Sequence, residues 1–87
     1  MHVADNKNIG GLMIIKTTET RGANRIIVDN DYYIDGYPMG RVRHISDLRF
    51  NRLKTYIVLD GDVQRIGVGI SDKKAHNCMI RLLEKNK

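Results

Sequence analysis

The chain has little cysteine and no long apolar run. Cys78 is its single cysteine, so an intramolecular disulfide is impossible, and an extracellular domain this small would be expected to carry several cysteines. The apolar stretches at residues 12–15 and 56–59 are far shorter than the roughly 20 residues that cross a bilayer. Residues 1–8 precede no apolar segment of about 7 to 15 residues, as a secretory signal would. We therefore expect a cytoplasmic location and no membrane partner.

Residues for nucleophilic catalysis are also missing. His76 and Cys78 are two positions apart, so on a helix their side chains diverge by about 200° and cannot act as base and nucleophile. Gly67 and Gly69 lack the third glycine of a dinucleotide-binding loop. We therefore expect no enzymatic activity and no cofactor.

The sequence does not predict a metal site. The histidines have no zinc-ligand spacing, and one cysteine is too few for the usual structural zinc sites. The acidic segment at residues 29–36 has calcium-loop composition, but Tyr33 stands where an oxygen ligand is needed and no glutamate occupies the twelfth position. We interpret this segment as a turn.

Length and residue pattern predict one small α+β domain. A chain of 87 residues is long enough for a single core. Runs of β-branched and aromatic residues are separated by turn-forming clusters, which lie at residues 21–24, 29–31, 35–36 and 60–62. The pattern predicts an antiparallel sheet of about four to six short strands packed against one C-terminal helix. Residues 1–12 show no sustained period and are expected to form a flexible arm ahead of a domain at residues 13–87.

Three segments carry more specific expectations. Pro38 lacks a backbone donor, so its segment should lie at a sheet edge or outside a strand. Residues 40–54 fit either strands or a short helix. In the return strand of the hairpin at residues 55–70, we expect one face to carry Ile66, Val68 and Ile70, opposite Gly67 and Gly69.

The C-terminal segment predicts a capped amphipathic helix. Ser71 can accept a hydrogen bond from a free amide of the first turn, and Asp72 lies at the positive end of the helix dipole. Spacings of three and four place on one stripe Ala75, Cys78, Met79, Leu82 and Leu83. This stripe should pack on the sheet, with Cys78 in the core.

Charge is unevenly distributed along the chain. Fifteen Lys and Arg against ten Asp and Glu give a net charge of +5, and residues 36–54 and 73–87 each sum to +4 whereas residues 29–35 sum to −3. Arginine dominates the central cluster, and its planar fork suits phosphate. Near it lie three side chains able to stack on exposed bases, His44, Phe50 and Tyr56.

These features predict a small basic nucleic-acid-binding protein with an accessory or regulatory role, and favour DNA over RNA. The predicted contacts are Arg41, Arg43, Arg49, Arg52, Lys54, Lys74 and Arg81. The competing interpretation is a solvated, positively charged strand edge that discourages aggregation.

A hairpin followed by a capped helix covers about a third of the chain, with Tyr56, Gly61, Gly67, Ser71 and Leu82 at its main positions. In outline it resembles the sheet-reading arm-binding domains of tyrosine integrases. The resemblance implies that outward side chains of a three-stranded sheet enter a major groove while Lys74 and Arg81 meet phosphates.

The alternative function is a protein-interaction module or inhibitor, for example from a mobile element, that binds a partner through a strand edge. Its anchors would be Tyr32, Tyr33 and Tyr37, because tyrosine offers large contact area with a polar tip. Equally, two of these tyrosines could pack beneath the helix. The small core and opposed charge patches also suggest a homodimer.

Overall fold

The computed structural model describes the backbone of residues 2–6 and, with side chains, residues 11–59 and 61–85. Six strands precede one helix: β1 (His2–Asn6), β2 (Gly11–Arg21), β3 (Arg25–Ile34), β4 (Tyr37–Asp47), β5 (Arg52–Leu59), β6 (Asp62–Val68) and α1 (Asp72–Lys85). Each strand pairs antiparallel with the next, so the sheet order is β1-β2-β3-β4-β5-β6. The predicted α+β fold is confirmed, although β2, β3 and β4 are longer than expected, at 10 or 11 residues.

The core lies between α1 and one face of the sheet. A cross-strand set of buried residues packs there with the helix stripe: Met13, Ile15, Tyr32, Val42, Ile57, Ala75, Met79 and Leu83. A Cβ on Gly40 would lie only 2.5 Å from Cε of Met79, so this glycine allows the helix to approach β4 closely. The predicted helix stripe is confirmed, with Cys78 and Leu82 partly buried against the core. Ser71 caps the helix by accepting a 3.2 Å hydrogen bond from the Lys74 amide.

The predicted break at residues 29–31 is wrong, because β3 continues through it. Two aspartates in a strand are unfavourable by propensity. Here each faces an arginine of β4, since the register pairs Asp29 with Arg43 and Asp31 with Arg41. Tertiary pairing therefore overrides the local preference for a turn.

The β3–β4 hairpin turns at Asp35 and Gly36, which adopt φ values of 50° and 85°. Positive φ at both positions is the condition for the tight turn that this dipeptide predicts. Pro38 pairs with Tyr33 of β3 and lies outside the β4–β5 register, which runs from Arg41 to Asp47. Pro38 thus belongs to an interior strand, and the expected edge position applies only to the end of β4 that lies outside the β4–β5 register.

Residues 40–54 form the end of β4, a turn at residues 48–51 and the start of β5, not a helix. The expected single face for Ile66, Val68 and Ile70 is wrong. The register shifts between Thr55 and Tyr56, leaving Ile66 as an extra residue, so Ile66 packs towards the core while Val68 lies opposite Lys54 and is 48% exposed.

The predicted N-terminal arm lies partly outside the described residues, which omit residues 1 and 7–10. His2–Asn6 pairs with the start of β2, and Leu12 exchanges hydrogen bonds with Asp35 through its amide and its carbonyl. The division into an arm at residues 1–12 and a domain at residues 13–87 stays a prediction.

Candidate functional site

The sheet face turned away from α1, here called the open face, collects most of the charge of the strands. Successive side chains of a strand point to opposite faces, so the cross-strand register assigns each residue to one face. Gly40, Val42 and His44 face α1, and the intervening Arg41 and Arg43 therefore face away from it. The open face carries Lys16, Thr18, Asp29, Asp31, Tyr33, Arg41, Arg43, Lys54, Tyr56, Val58, Val63 and Arg65.

Two aspartate–arginine pairs occupy the centre of this face. Arg43 donates to both carboxylate oxygens of Asp29, from Nε at 2.7 Å and from Nη2 at 2.9 Å. Arg41 donates from Nε to Asp31 at 2.5 Å, and its Nη1 lies 3.7 Å from Asp29. Planar bidentate contacts of this kind hold the guanidinium groups in a fixed orientation.

Asp29 is the buried carboxylate of the open face. The hydrogen bonds from Arg43 hold its pKa below the ordinary value, against the opposing effect of burial, and the charges of Arg43 and Arg41 act in the same direction. Asp29 therefore stays ionised, and its charge neutralises part of that of the two arginines.

The excess positive charge of the face comes from the residues around these pairs. Lys16 and Arg65 are exposed, and Lys54 is half-buried. Lys16 lies opposite Asp31, Lys54 opposite Ile45, and Arg65 opposite Tyr56. These cations surround the neutralised centre and can contact an anionic ligand.

Two half-buried tyrosines lie among the cations. Tyr56 stands between Arg43 of β4 and Arg65 of β6 in the register. The ammonium of Lys16 lies 4.8 Å from the ring centroid of Tyr33, within cation–π range. Tyr33 also borders a shallow cavity of about 400 Å³ that reaches Arg41 and Val58.

The predicted central cations are brought together in large part. The open face carries Arg41, Arg43 and Lys54, and Arg52 lies at its end opposite Asp47. Arg49 instead lies in the turn before β5, where its guanidinium carbon is 5.2 Å from the Phe50 ring centroid. Of the predicted stacking side chains, Phe50 is exposed in this turn and Tyr56 lies on the open face.

Lys74 and Arg81 do not join this cluster. Both are exposed on α1, which packs on the other face of the sheet. The arrangement implied by the integrase resemblance, with sheet and helix residues contacting one ligand, does not match this geometry. The six-stranded sheet also differs from the three strands of that outline.

The predicted tyrosine patch is not one surface. Tyr32 is 2% exposed in the core, Tyr33 lies on the open face, and Tyr37 is 72% exposed at the start of β4. Alternation along β3 separates Tyr32 from Tyr33 because consecutive residues face opposite sides. Tyr32 is therefore a core residue and not an interface anchor.

A second polar cluster lies beneath the N-terminus of α1. The hydroxyl of Tyr32 is hydrogen-bonded to Nδ1 of His76 at 2.8 Å, and His44 Nδ1 lies 2.9 Å from the Thr55 hydroxyl. His44 Nε2 is 3.1 Å from Asp72, without hydrogen-bond geometry. Burial raises the pKa of Tyr32 to about 12, and the charge of Asp72 adds to the shift. His44 is thus held in the core and cannot stack on a base.

The sequence interpretation did not place Lys16 and Arg65 in the site. When the strands are paired in register, the alternation of side chains places both residues on the same face as Arg41. A signal for the β3–β4 register was present, because Asp29 and Asp31 precede the Asp35–Gly36 turn much as Arg43 and Arg41 follow it.

Within the described residues, no group of three His, Cys, Asp or Glu side chains is placed to hold a metal ion. The helix in this part of the chain is too short and too polar to span a membrane. No protein-family model, curated protein or solved structure matches the chain.

Proposed function

We propose that the protein binds nucleic acid through the open face and acts as a small accessory or regulatory factor. The observation that carries the proposal is the gathering of cations from β2, β4, β5 and β6 on one face, with two tyrosines among them and α1 on the opposite side. A polyanion with planar bases offers the complementary groups. DNA is the partner we put first, and RNA is the second.

In this proposal, phosphate is contacted mainly by the cations of the open face that are not hydrogen-bonded to an aspartate. Lys16, Lys54 and Arg65 supply positive charge around the centre. Arg41 and Arg43 are already oriented by Asp31 and Asp29, and N–H groups not used in those pairs can donate to a phosphate oxygen.

The test is binding of labelled oligonucleotides at several salt concentrations. Replacing Lys16, Lys54 and Arg65 together by Gln should weaken binding and lower the slope of log affinity against log salt by about 2 to 3, since each lost phosphate contact removes about 0.7 to 0.9. Absence of binding by the unchanged protein at about 50 mM salt would contradict the proposal.

A matched control removes the same charge from the helix. Lys74, Arg81 and Lys85 are exposed on α1, and their triple replacement by Gln changes the net charge equally. This variant should retain the affinity and the salt slope. Equal weakening by the two triple variants would show that only net charge matters and that the open face is not the site.

The second candidate function is partner binding through β6. This strand ends the sheet, with Val63 64% exposed and Val68 48% exposed, so a strand from a partner or a second copy could pair along it. If copies pair here, sedimentation at micromolar concentration will show a dimer that Val63→Lys disrupts. A monomer at that concentration argues against pairing between copies.

A further inference from the structure

We infer that the open face takes a single-stranded segment, whose bases stack on Tyr33 and Tyr56, in preference to an intact duplex. The inference rests on the proposed function and specifies its substrate class. In a duplex the bases are already stacked on one another, whereas an unpaired strand can present base faces to aromatic rings.

Tyr56 lies near the middle of β5. Its neighbours across the sheet are Arg43 and Arg65, and its neighbours along β5 on the same face are Lys54 and Val58. No element of the described chain packs over this face, because α1 covers the other one. A base stacked on Tyr56 would therefore have cations within reach of its flanking phosphates.

Tyr33 provides a second ring with a different environment. Lys16 occupies one position over the ring at 4.8 Å, and the ring borders the cavity of about 400 Å³ next to Arg41. The cavity lies beside the register shift between Tyr32 and Tyr33. There Tyr33 pairs with Pro38, which lies outside the β4–β5 register. A cavity of this volume is large enough for a planar heterocycle.

The two tyrosines are spaced so that one nucleic-acid strand can reach both. Across the sheet, β3 and β5 are two strand positions apart, which is roughly 10 Å. Along the strands, the cross-strand rows of the two tyrosines are four residues apart, which is roughly 13 Å, so the tyrosines lie roughly 16 Å apart. Arg41 and Arg43 lie between them on β4. A strand of several nucleotides can thus stack at both ends of this path while its backbone passes the two arginines.

The experiment compares a single strand with the corresponding duplex, both of about 12 nucleotides, at one salt concentration. The chain has four tyrosines and no tryptophan, so quenching of tyrosine fluorescence reports stacking directly. We expect the single strand to bind at least tenfold more tightly and to quench the fluorescence. Oligo(dT) and oligo(U) serve as separate arms to distinguish DNA from RNA.

Replacement of the rings tests the residues themselves. Tyr56→Leu and Tyr33→Leu should each weaken single-strand binding by roughly 5- to 150-fold, since stacking contributes about 1 to 3 kcal/mol per base, with the salt slope unchanged. Tyr56→Phe keeps the ring and should retain binding. Tyr37→Leu, at an exposed residue before the β4–β5 pairing begins, is the matched control and should have no effect.

The outcomes separate the two levels of the proposal. If the duplex binds as tightly as the single strand and the Leu variants, shown to fold by their unfolding transitions, bind normally, the stacking inference is overturned while nucleic-acid binding stands. If neither probe binds at about 50 mM salt, both are overturned. Should a Leu variant fail to fold, a smaller fluorescence decrease on binding in Tyr56→Phe, at unchanged affinity, identifies Tyr56 as a ring that meets a base, whereas an unchanged decrease contradicts stacking on Tyr56.

Discussion

Ile57 and Val58 are consecutive residues of β5 in contrasting environments. Ile57 is 1% exposed beneath α1, whereas Val58 is half-buried on the open face, opposite Arg41 and Val63. The two faces of one sheet thus have different physical roles. The helix-covered face excludes water from apolar side chains, and the open face keeps charge near water through oriented ion pairs.

The comparison explains why binding residues can accumulate on the open face without disrupting the fold. Core packing is supplied on one face by residues such as Met13, Val42 and Met79. Because successive side chains of a strand point to opposite faces, the residues of the open face do not contribute to this core. Cations can therefore occupy the open face without entering the core.

The largest expected effect distinguishes the two faces within β5. Ile57→Ala should lower the free energy of unfolding by about 2 to 5 kcal/mol, because it leaves a cavity in a packed core. Val58→Ala should cost less than about 1.5 kcal/mol, since its site is partly solvated. Urea unfolding of both variants measures the difference. Equal losses would mean that the open face is covered in solution, for example by a second copy.

The second effect concerns the ion pairs of the open face. Asp29→Asn should lower the free energy of unfolding by about 1 to 3 kcal/mol at neutral pH, because Arg43 loses a charged acceptor that is itself buried. The exposed Asp62→Asn is the control and should change it by less than about 0.5 kcal/mol.

The same pair gives a pH dependence with a defined sign. The pKa of Asp29 is lowered in the folded protein, so its contribution to stability is fully present above the unfolded pKa of about 3.9 and is lost as pH falls through the folded value. The difference between wild type and Asp29→Asn should therefore shrink below about pH 4 in urea unfolding. A difference that stays constant down to pH 2 would contradict the ion-pair explanation.

Local signals in the sequence predict much of the fold. The Asp35–Gly36 turn, the Ser71 cap and the apolar stripe of α1 each depend on neighbouring residues, and each is found where local chemistry places it. The fold class follows from these elements and from the β-branched runs.

Register depends on residues of different strands, so neighbouring residues alone do not reveal it. The aspartates of β3 indicate a turn until Arg41 and Arg43 are known to lie across from them. One bulge likewise decides whether Val68 joins Ile66 on the core side, and alternation alone cannot reveal that bulge. The candidate site consequently needed the cross-strand pairing before Lys16 and Arg65 could be joined to the central arginines.

The smallest expected effect concerns the hydrogen bond between Tyr32 and His76 beneath α1. Tyr32→Phe removes this 2.8 Å contact and should lower the free energy of unfolding by about 1 kcal/mol. Tyr33→Phe, one residue away on the open face, should have no comparable effect on stability. Spectrophotometric titration adds a second measurement, because burial raises the pKa of Tyr32 to about 12.

The raised pKa of Tyr32 favours its neutral form in the folded state. Its contribution to stability is therefore fully present below the ordinary value of 10.0 and is lost as pH rises through about 12. One tyrosine of the four should ionise last in the native protein, and that late transition should disappear in Tyr32→Phe but persist in Tyr33→Phe. If the late transition followed Tyr33 instead, the assignment of these adjacent side chains to opposite faces would be reversed, and with it the composition of the open face.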